Sequence, residues 1–69
     1  MPYVNIKVTG GKEAPSMEQK AELIQGVTEL LGRVLDKNPE TTVVVIDEVD
    51  TDNWGIGGKS VSERRKEGR

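Results

Sequence analysis

Residues 41–49, with the sequence TTVVVIDEV, have the strongest strand pattern in the chain. The centre of this stretch is apolar at successive positions, so a strand formed from it presents apolar side chains on both of its faces. Strands of this kind are typical of parallel sheets, which are covered on both faces. The stretch therefore predicts a buried strand that pairs in parallel with another strand of the chain.

The second strand of the pair is expected near the N-terminus, in residues 2–9 (PYVNIKVT). Val4, Ile6 and Val8 alternate there with Tyr and polar residues, which is the period of a half-buried strand. Between the two strands, residues 17–36 place apolar side chains three and four positions apart. That spacing predicts an amphipathic helix.

Residues on either side mark the limits of this helix. Ser16 and Gln19 have the S-x-x-Q spacing of a capping box at the helix start. Asn38-Pro39 ends the helix, because a residue that precedes proline disfavours helical backbone. Strand, helix and strand form a β-α-β unit with a right-handed crossover. The fold class predicted is α/β, in a single domain that spans residues 1–69.

The chain is too short to bury a large core of its own. It has 69 residues, of which 33% are apolar, and it contains neither cysteine nor histidine. Chains of this size commonly gain stability from disulfides, metals or oligomerisation. Disulfides and the usual zinc ligands are excluded by composition, so we expect partner subunits to complete the sheet and the core.

Composition also excludes several classes of function. Without histidine, Ser-His and Cys-His nucleophile pairs are impossible, and any catalysis must use other groups, including the chain terminus. The net charge of −2 disfavours nucleic acid as a partner. No apolar run approaches the roughly 20 residues of a membrane span, and the N-terminus lacks a signal-peptide pattern. We expect a cytoplasmic protein that binds neither nucleic acid nor membranes.

The C-terminal third contains turn and helix signals. The sequence WGIGG, residues 54–58, favours a tight hairpin or bulge. Ser60 and Glu63 have the spacing of a second capping box, which predicts one short helical turn. The charged residues 64–69 are expected to fray.

Two further patterns in this region fall short of a binding site. Gly58-Lys59-Ser60 resembles the end of a phosphate-binding loop, but the glycine required five positions earlier is Asn53. The acidic residues between positions 47 and 52 lack the order of a calcium-binding loop. Neither a nucleotide site nor a metal site is predicted.

Three residues are candidates for chemistry. Pro2 follows the initiator Met1, whose removal leaves a secondary amine; a free α-amino group titrates near about 7.7–8.0, and burial lowers that pKa. Such an amine suits general-base catalysis, although a proline can also simply start a strand. Lys12 follows the first strand, where α/β sheets bind ligands, or it is a solvated lysine. Trp54 forms a pocket wall, or it packs in a core or an interface.

Several motifs together resemble one family. MP at residues 1–2, MEQK at residues 17–20 and WGIGG at residues 54–58 are similar to the 4-oxalocrotonate tautomerase family, also called 2-hydroxymuconate tautomerases. The run IDEVD-x-x-N-aromatic-G, residues 46–55, resembles the DmpI-type branch. The resemblance covers nearly the whole chain. It implies a tautomerase-type β-α-β subunit with parallel strands and a C-terminal hairpin, four-stranded dimers, and a homohexamer of three dimers.

The resemblance also implies an activity. Members convert the enol form of a small unsaturated 2-hydroxy acid, such as 2-hydroxymuconate, into the keto form without a cofactor or a metal. It implies that Pro2 is the general base, that Lys12 binds a carboxylate of the small-molecule substrate in place of an arginine, and that Trp54 helps to desolvate the amine.

This chain departs from the family pattern in three ways. Val43 stands where the family has a second arginine, and three extra residues lie in the loop around residues 11–15. While Met1 is attached, the Pro2 nitrogen is a tertiary amide and cannot accept a proton. These departures leave two alternatives open: a relative that acts on another unsaturated acid, and a non-catalytic oligomeric scaffold or binding module.

Overall fold

The computed structural model describes residues 1–68. The helices and strands are β1 (Tyr3–Thr9), α1 (Met17–Leu35), β2 (Val43–Val49), β3 (Gly55–Ile56), β4 (Lys59–Ser60) and α2 (Val61–Lys66). Short 3-10 turns occupy Gly11–Glu13, Pro39–Thr41 and Thr51–Asn53. The chain divides into two compact units: Met1–Ile6 with Pro15–Asp47, and Lys7–Ala14 with the chain from Glu48 onward.

β1 and β2 form a two-stranded sheet. At its start, the Val43 N–H donates to the Pro2 carbonyl oxygen over 3.0 Å. At its end, the Gly10 N–H donates to the Val49 carbonyl oxygen over 2.8 Å. The two strands therefore run in the same direction, and the predicted parallel β-α-β unit is confirmed.

The capping box at the start of α1 is also confirmed. The Gln19 N–H donates to Ser16 Oγ over 3.1 Å, and the Ser16 N–H donates to Gln19 Oε1 over 2.8 Å. The helix ends at Leu35, one residue before the predicted limit, because Asp36 adopts the left-handed conformation with φ of 55°. The Asp36 N–H donates to the Gly32 carbonyl oxygen, which closes the last turn.

The prediction that β2 begins at position 41 was wrong by two residues. Asn38 Oδ1 accepts a hydrogen bond from the Glu40 N–H over 2.9 Å, which folds Pro39–Thr41 into a 3-10 turn. The hydroxyl groups of Thr41 and Thr42 both donate back to the Asn38 carbonyl oxygen. The turn therefore uses the backbone that the sequence pattern had placed in the strand.

The predicted hairpin is confirmed in the second unit. β3 and β4 pair antiparallel, with Gly55 opposite Ser60 and Ile56 opposite Lys59. The two residues between them, Gly57 and Gly58, have φ of 62° and 88°. A two-residue hairpin turn with both φ values positive favours glycine, which has no Cβ to clash.

The prediction that residues 64–69 fray was wrong for residues 64–66, which belong to a helix. α2 begins after Ser60, whose Oγ accepts a hydrogen bond from the Glu63 N–H over 3.1 Å, and continues to Lys66. The hydroxyl groups of Thr51 and Ser62 are 2.6 Å apart, which ties α2 to the turn before the hairpin. Arg69 lies outside the described residues.

Apolar side chains are poorly covered within one chain. Of the described residues, Val61 is the one buried hydrophobic side chain, at 8% exposure. Leu23, Leu30 and Val34 lie along one flank of α1, since they are seven and four positions apart, and Val34 is 61% exposed. One side of the helix therefore presents an apolar surface. Within residues 1–68, no helix combines the length and the apolar composition needed to cross a membrane.

We predict that Ser16→Ala destabilises the protein by about 1 kcal/mol, because the first turn of α1 loses the acceptor for the Gln19 N–H. Urea unfolding at fixed protein concentration measures the change. Ser16→Asp is the matched control, since aspartate restores an acceptor, and its midpoint should stay close to that of the unaltered protein. Equal midpoints for Ser16→Ala and the unaltered protein would show that the cap adds nothing.

Candidate active site

Pro2 immediately precedes β1 and is half-buried. Its carbonyl oxygen accepts the hydrogen bond from the Val43 N–H, which fixes the residue at the start of the sheet. A prolyl nitrogen has no N–H to donate to a strand ladder. Met1 precedes it and is 89% exposed. Pro2 is therefore anchored through its carbonyl group, next to a residue that solvent and enzymes can reach.

Lys12 occupies the middle of the 3-10 turn Gly11–Glu13, directly after β1. Gly11 enters this turn with φ of 69°, a value that side-chain-bearing residues rarely adopt. The Ala14 N–H closes the turn on the Gly11 carbonyl oxygen over 3.2 Å. Lys12 is exposed. The turn therefore presents the ammonium group of Lys12 to solvent.

An ion pair ties this turn to the C-terminal helix. Arg65 Nη1 donates to Glu13 Oε1 over 2.6 Å, and Arg65 Nη2 donates to Glu13 Oε2 over 3.3 Å. This two-bond arrangement matches the planar guanidinium to the planar carboxylate. The hydrogen bonds from Arg65 hold the pKa of the Glu13 carboxyl below its ordinary value, and the same bonds raise the pKa of Arg65.

Trp54 lies between the turn Thr51–Asn53 and the hairpin, and it is half-buried. Its backbone N–H donates to the Thr51 carbonyl oxygen over 3.5 Å. Its carbonyl oxygen accepts a short hydrogen bond, 2.7 Å, from the N–H of Val61. The backbone of Trp54 is thus held from both sides.

Lys12 and Trp54 line two different cavities of the second unit. The first has a volume of about 200 Å³ and is lined by Gly10, Gly11, Lys12, Glu13, Asp50, Thr51 and Arg65. The second has a volume of about 380 Å³ and is lined by Thr9, Trp54, Ile56, Val61, Arg64 and Arg65. Arg65 lines both cavities, and Pro2 lines neither. No group of three potential metal ligands occurs in the described part of the chain.

Sequence reasoning missed the arginines of α2. Arg64 and Arg65 line the cavity of Trp54, and Arg65 also holds the turn of Lys12 through Glu13. The charged sequence of residues 64–69 predicts a fraying tail instead. The capping spacing of Ser60 and Glu63 was the available signal that this segment is ordered, but it does not indicate what the helix contacts.

The family model described as "Tautomerase enzyme" matches residues 2–64. The chain belongs to the tautomerase family. It is 63% identical over 67 residues to a protein of Dickeya dadantii named "probable tautomerase", and the match covers 97% of each chain. Because its relatives are named as tautomerases, this family member is an isomerase.

Two solved structures show the same fold. The crystal structure of DmpI from Helicobacter pylori has a TM-score of 0.83 and 48% identity, over 94% of this chain and 97% of that one. A heterohexamer 4-oxalocrotonate tautomerase from Chloroflexus aurantiacus has a TM-score of 0.78 and 30% identity, over 91% of this chain and 97% of that one. The resemblance to the 4-oxalocrotonate tautomerase family, with its DmpI-type branch, is confirmed.

We predict that the Glu13–Arg65 pair makes the stability of this tautomerase depend on pH in acid. Because the pKa of Glu13 is lowered in the folded state, its contribution is fully present above the ordinary glutamate value of about 4.3 and is lost as the pH falls through the lowered pKa. Glu13→Gln should therefore reduce the urea midpoint at pH 7, with a difference that shrinks below pH ~4.

Glu22→Gln is the control for this measurement, since Glu22 is an exposed carboxylate of α1. Its midpoint should follow that of the unaltered protein across the same pH range. A Glu13→Gln deficit that stays constant from pH 7 into acid would contradict the role of the ionised carboxylate.

Proposed function

We propose that this protein is a cofactor-free tautomerase that interconverts the enol and keto forms of a small unsaturated 2-hydroxy acid such as 2-hydroxymuconate. The observation that carries the proposal is the place of Pro2. It directly follows Met1, which is 89% exposed, and it heads β1 in a chain of the tautomerase family. Once Met1 is removed, the prolyl nitrogen becomes a basic secondary amine.

The amine acts as both base and acid in the proposed reaction. It takes the proton of the 2-hydroxyl group, the enol electrons rearrange along the conjugated chain, and the protonated amine returns the proton to a distant carbon. The product is the unsaturated ketone, with no net change in protons. A half-buried position favours the neutral form of the amine, because desolvation penalises the charged form.

Lys12 and Trp54 are proposed as substrate-binding residues. The exposed ammonium group of Lys12 would bind a substrate carboxylate as a point charge, with less control of orientation than an arginine provides. Trp54 would provide an apolar wall against the unsaturated chain, because it lines a cavity together with Ile56 and Val61.

We also propose that the protein works as a homo-oligomer, a hexamer of three dimers with four-stranded sheets. The exposed apolar flank of α1 and the single buried hydrophobic side chain of residues 1–68 support partner subunits. The solved relative from Chloroflexus aurantiacus is a heterohexamer. The single-domain organisation and the cytoplasmic location stay predictions.

A different unsaturated acid is the second candidate substrate. Val43 is apolar and 42% exposed at the position where the resemblance expects an arginine, and Lys12 replaces another. The loss of a fixed positive charge near a developing oxyanion raises the activation barrier by a few kcal/mol. The absence of this arginine therefore favours a substrate other than 2-hydroxymuconate. Substrate profiling with several dienols separates the two candidates.

We predict that Pro2→Ala lowers kcat/KM for enol–keto conversion by about 100-fold or more, the range expected for a lost general base. The disappearance of dienol absorbance measures the rate in protein whose intact mass shows that Met1 is absent. Protein that retains Met1 is the matched control, and it should be inactive because its Pro2 nitrogen is an amide. An unchanged kcat/KM in Pro2→Ala would count decisively against the mechanism.

We predict that Val34→Glu weakens the oligomer, because a charge would be buried on the apolar flank of α1. Sedimentation velocity should show a smaller species than the unaltered protein at the same concentration. Glu22→Lys changes a charge elsewhere on the exposed surface of α1, and it should leave the sedimenting mass of the oligomer unchanged. A monomeric unaltered protein would contradict the proposed assembly.

A further inference from the structure

The cavity of Trp54 has an unbalanced charge. Two of its six lining residues, Arg64 and Arg65, are cations, and none of the six is a carboxylate. Trp54, Ile56 and Val61 supply an apolar wall to the same cavity. A cavity with an apolar wall and excess positive charge favours a small organic anion.

Arg64 is the cation that remains available there. The positive charge of Arg65 is offset by the carboxylate of Glu13, to which Arg65 donates two hydrogen bonds. Arg64 Nη1 instead donates one long hydrogen bond, 3.4 Å, to the carbonyl oxygen of Ile56, and no carboxylate of residues 1–68 pairs with it. A guanidinium has five N–H donors, so Arg64 keeps enough of them to bind a carboxylate through two parallel bonds.

The cavity of Lys12 differs in this respect. Glu13 and Asp50 line it together with Lys12 and Arg65, so its formal charges balance. Glu13 and Asp50 weaken the attraction of Lys12 for an incoming carboxylate but do not cancel it. The Trp54 cavity is therefore the more favourable of the two for an anion.

We propose that Arg64 is a substrate-binding residue, whose guanidinium holds a carboxylate of the unsaturated acid in the Trp54 cavity. This assignment rests on the proposed tautomerase function. It makes Arg64 a second substrate-binding cation besides Lys12. The position of Arg64 fits the role, because its Nη1 atom would lie 3.4 Å from a Cβ at Gly57, which places the guanidinium against the hairpin. The hairpin backbone thus limits the directions in which the side chain can move.

The single Trp of the chain allows a binding test that does not depend on turnover. Fumarate is the probe, since it is a short unsaturated dicarboxylate without an enol, and fumaramide is its uncharged control. We expect a saturable change of Trp54 fluorescence with fumarate and none with fumaramide. Arg64→Gln should weaken fumarate binding at least tenfold, and Arg64→Lys should weaken it less.

Lys66→Gln is the matched control variant, because it removes a positive charge from α2 at an exposed residue that does not line the cavity. It should bind fumarate as the unaltered protein does. Circular dichroism and sedimentation must show that Arg64→Gln and Arg64→Lys keep the fold and the assembly. Equal affinity of Arg64→Gln and the unaltered protein, an equal loss in Lys66→Gln, or no saturable response to fumarate would each overturn the assignment.

Kinetics then separate this assignment from the proposed function. In Met1-free protein, Arg64→Gln should raise KM for the enol acid at least tenfold, with a smaller effect on kcat, and should leave KM for the corresponding enol diester unchanged. An active enzyme with an unchanged KM in Arg64→Gln would overturn the role of Arg64 alone. An inactive unaltered protein would overturn the proposed function, while fumarate binding would still decide whether Arg64 forms an anion site.

Discussion

The described part of one chain buries very little apolar surface, and this shortage limits its stability. Burial of apolar side chains is the main favourable term that offsets the conformational entropy lost on folding. Among residues 1–68, Val61 alone provides a buried hydrophobic side chain, whereas Tyr3, Val34 and Leu35 are all more than half exposed. Local hydrogen bonds shape the elements, and the exposed apolar surface supports the proposed assembly with other copies of the chain.

Much of the fold could be predicted because its determinants are local. The capping box of Ser16 and Gln19 and the glycine pair of the hairpin act within four residues of sequence, and the structure confirms both. The start of β2 could not be predicted from apolar pattern, because the hydrogen bond between Asn38 and Glu40 redirects the backbone just before the strand. Turn chemistry prevailed there over strand propensity.

The residues around the candidate site were harder to predict than the three candidate residues themselves. Pro2, Lys12 and Trp54 stand out by residue type and by position next to strands and turns. The contact between Glu13 and Arg65 joins residues that are 52 positions apart. No periodic pattern reports such a contact, so the sequence alone does not indicate what the arginines of α2 bind. Their contacts with the cavity and with Glu13 form only once the chain has folded.

The chain has few residue types that can transfer a proton at neutral pH. In the proposed mechanism, a chain without histidine uses the secondary amine of Pro2 for proton transfer. Its two cavities are lined by cations whose charges are offset to different extents by carboxylates. Lys12 shares its cavity with carboxylates, whereas Arg64 does not. A substrate that carries both a transferable proton and a carboxylate would use both features.

Titration of the Pro2 nitrogen by NMR, in Met1-free protein labelled with ¹⁵N-proline, tests directly whether Pro2 can act as the base. We expect one amine that titrates below the ordinary α-amino range of about 7.7–8.0, so that the base is neutral at physiological pH. We also expect fumarate to shift the resonance of this amine. A nitrogen with an ordinary pKa and no response to fumarate would contradict the assignment of Pro2 as the catalytic base.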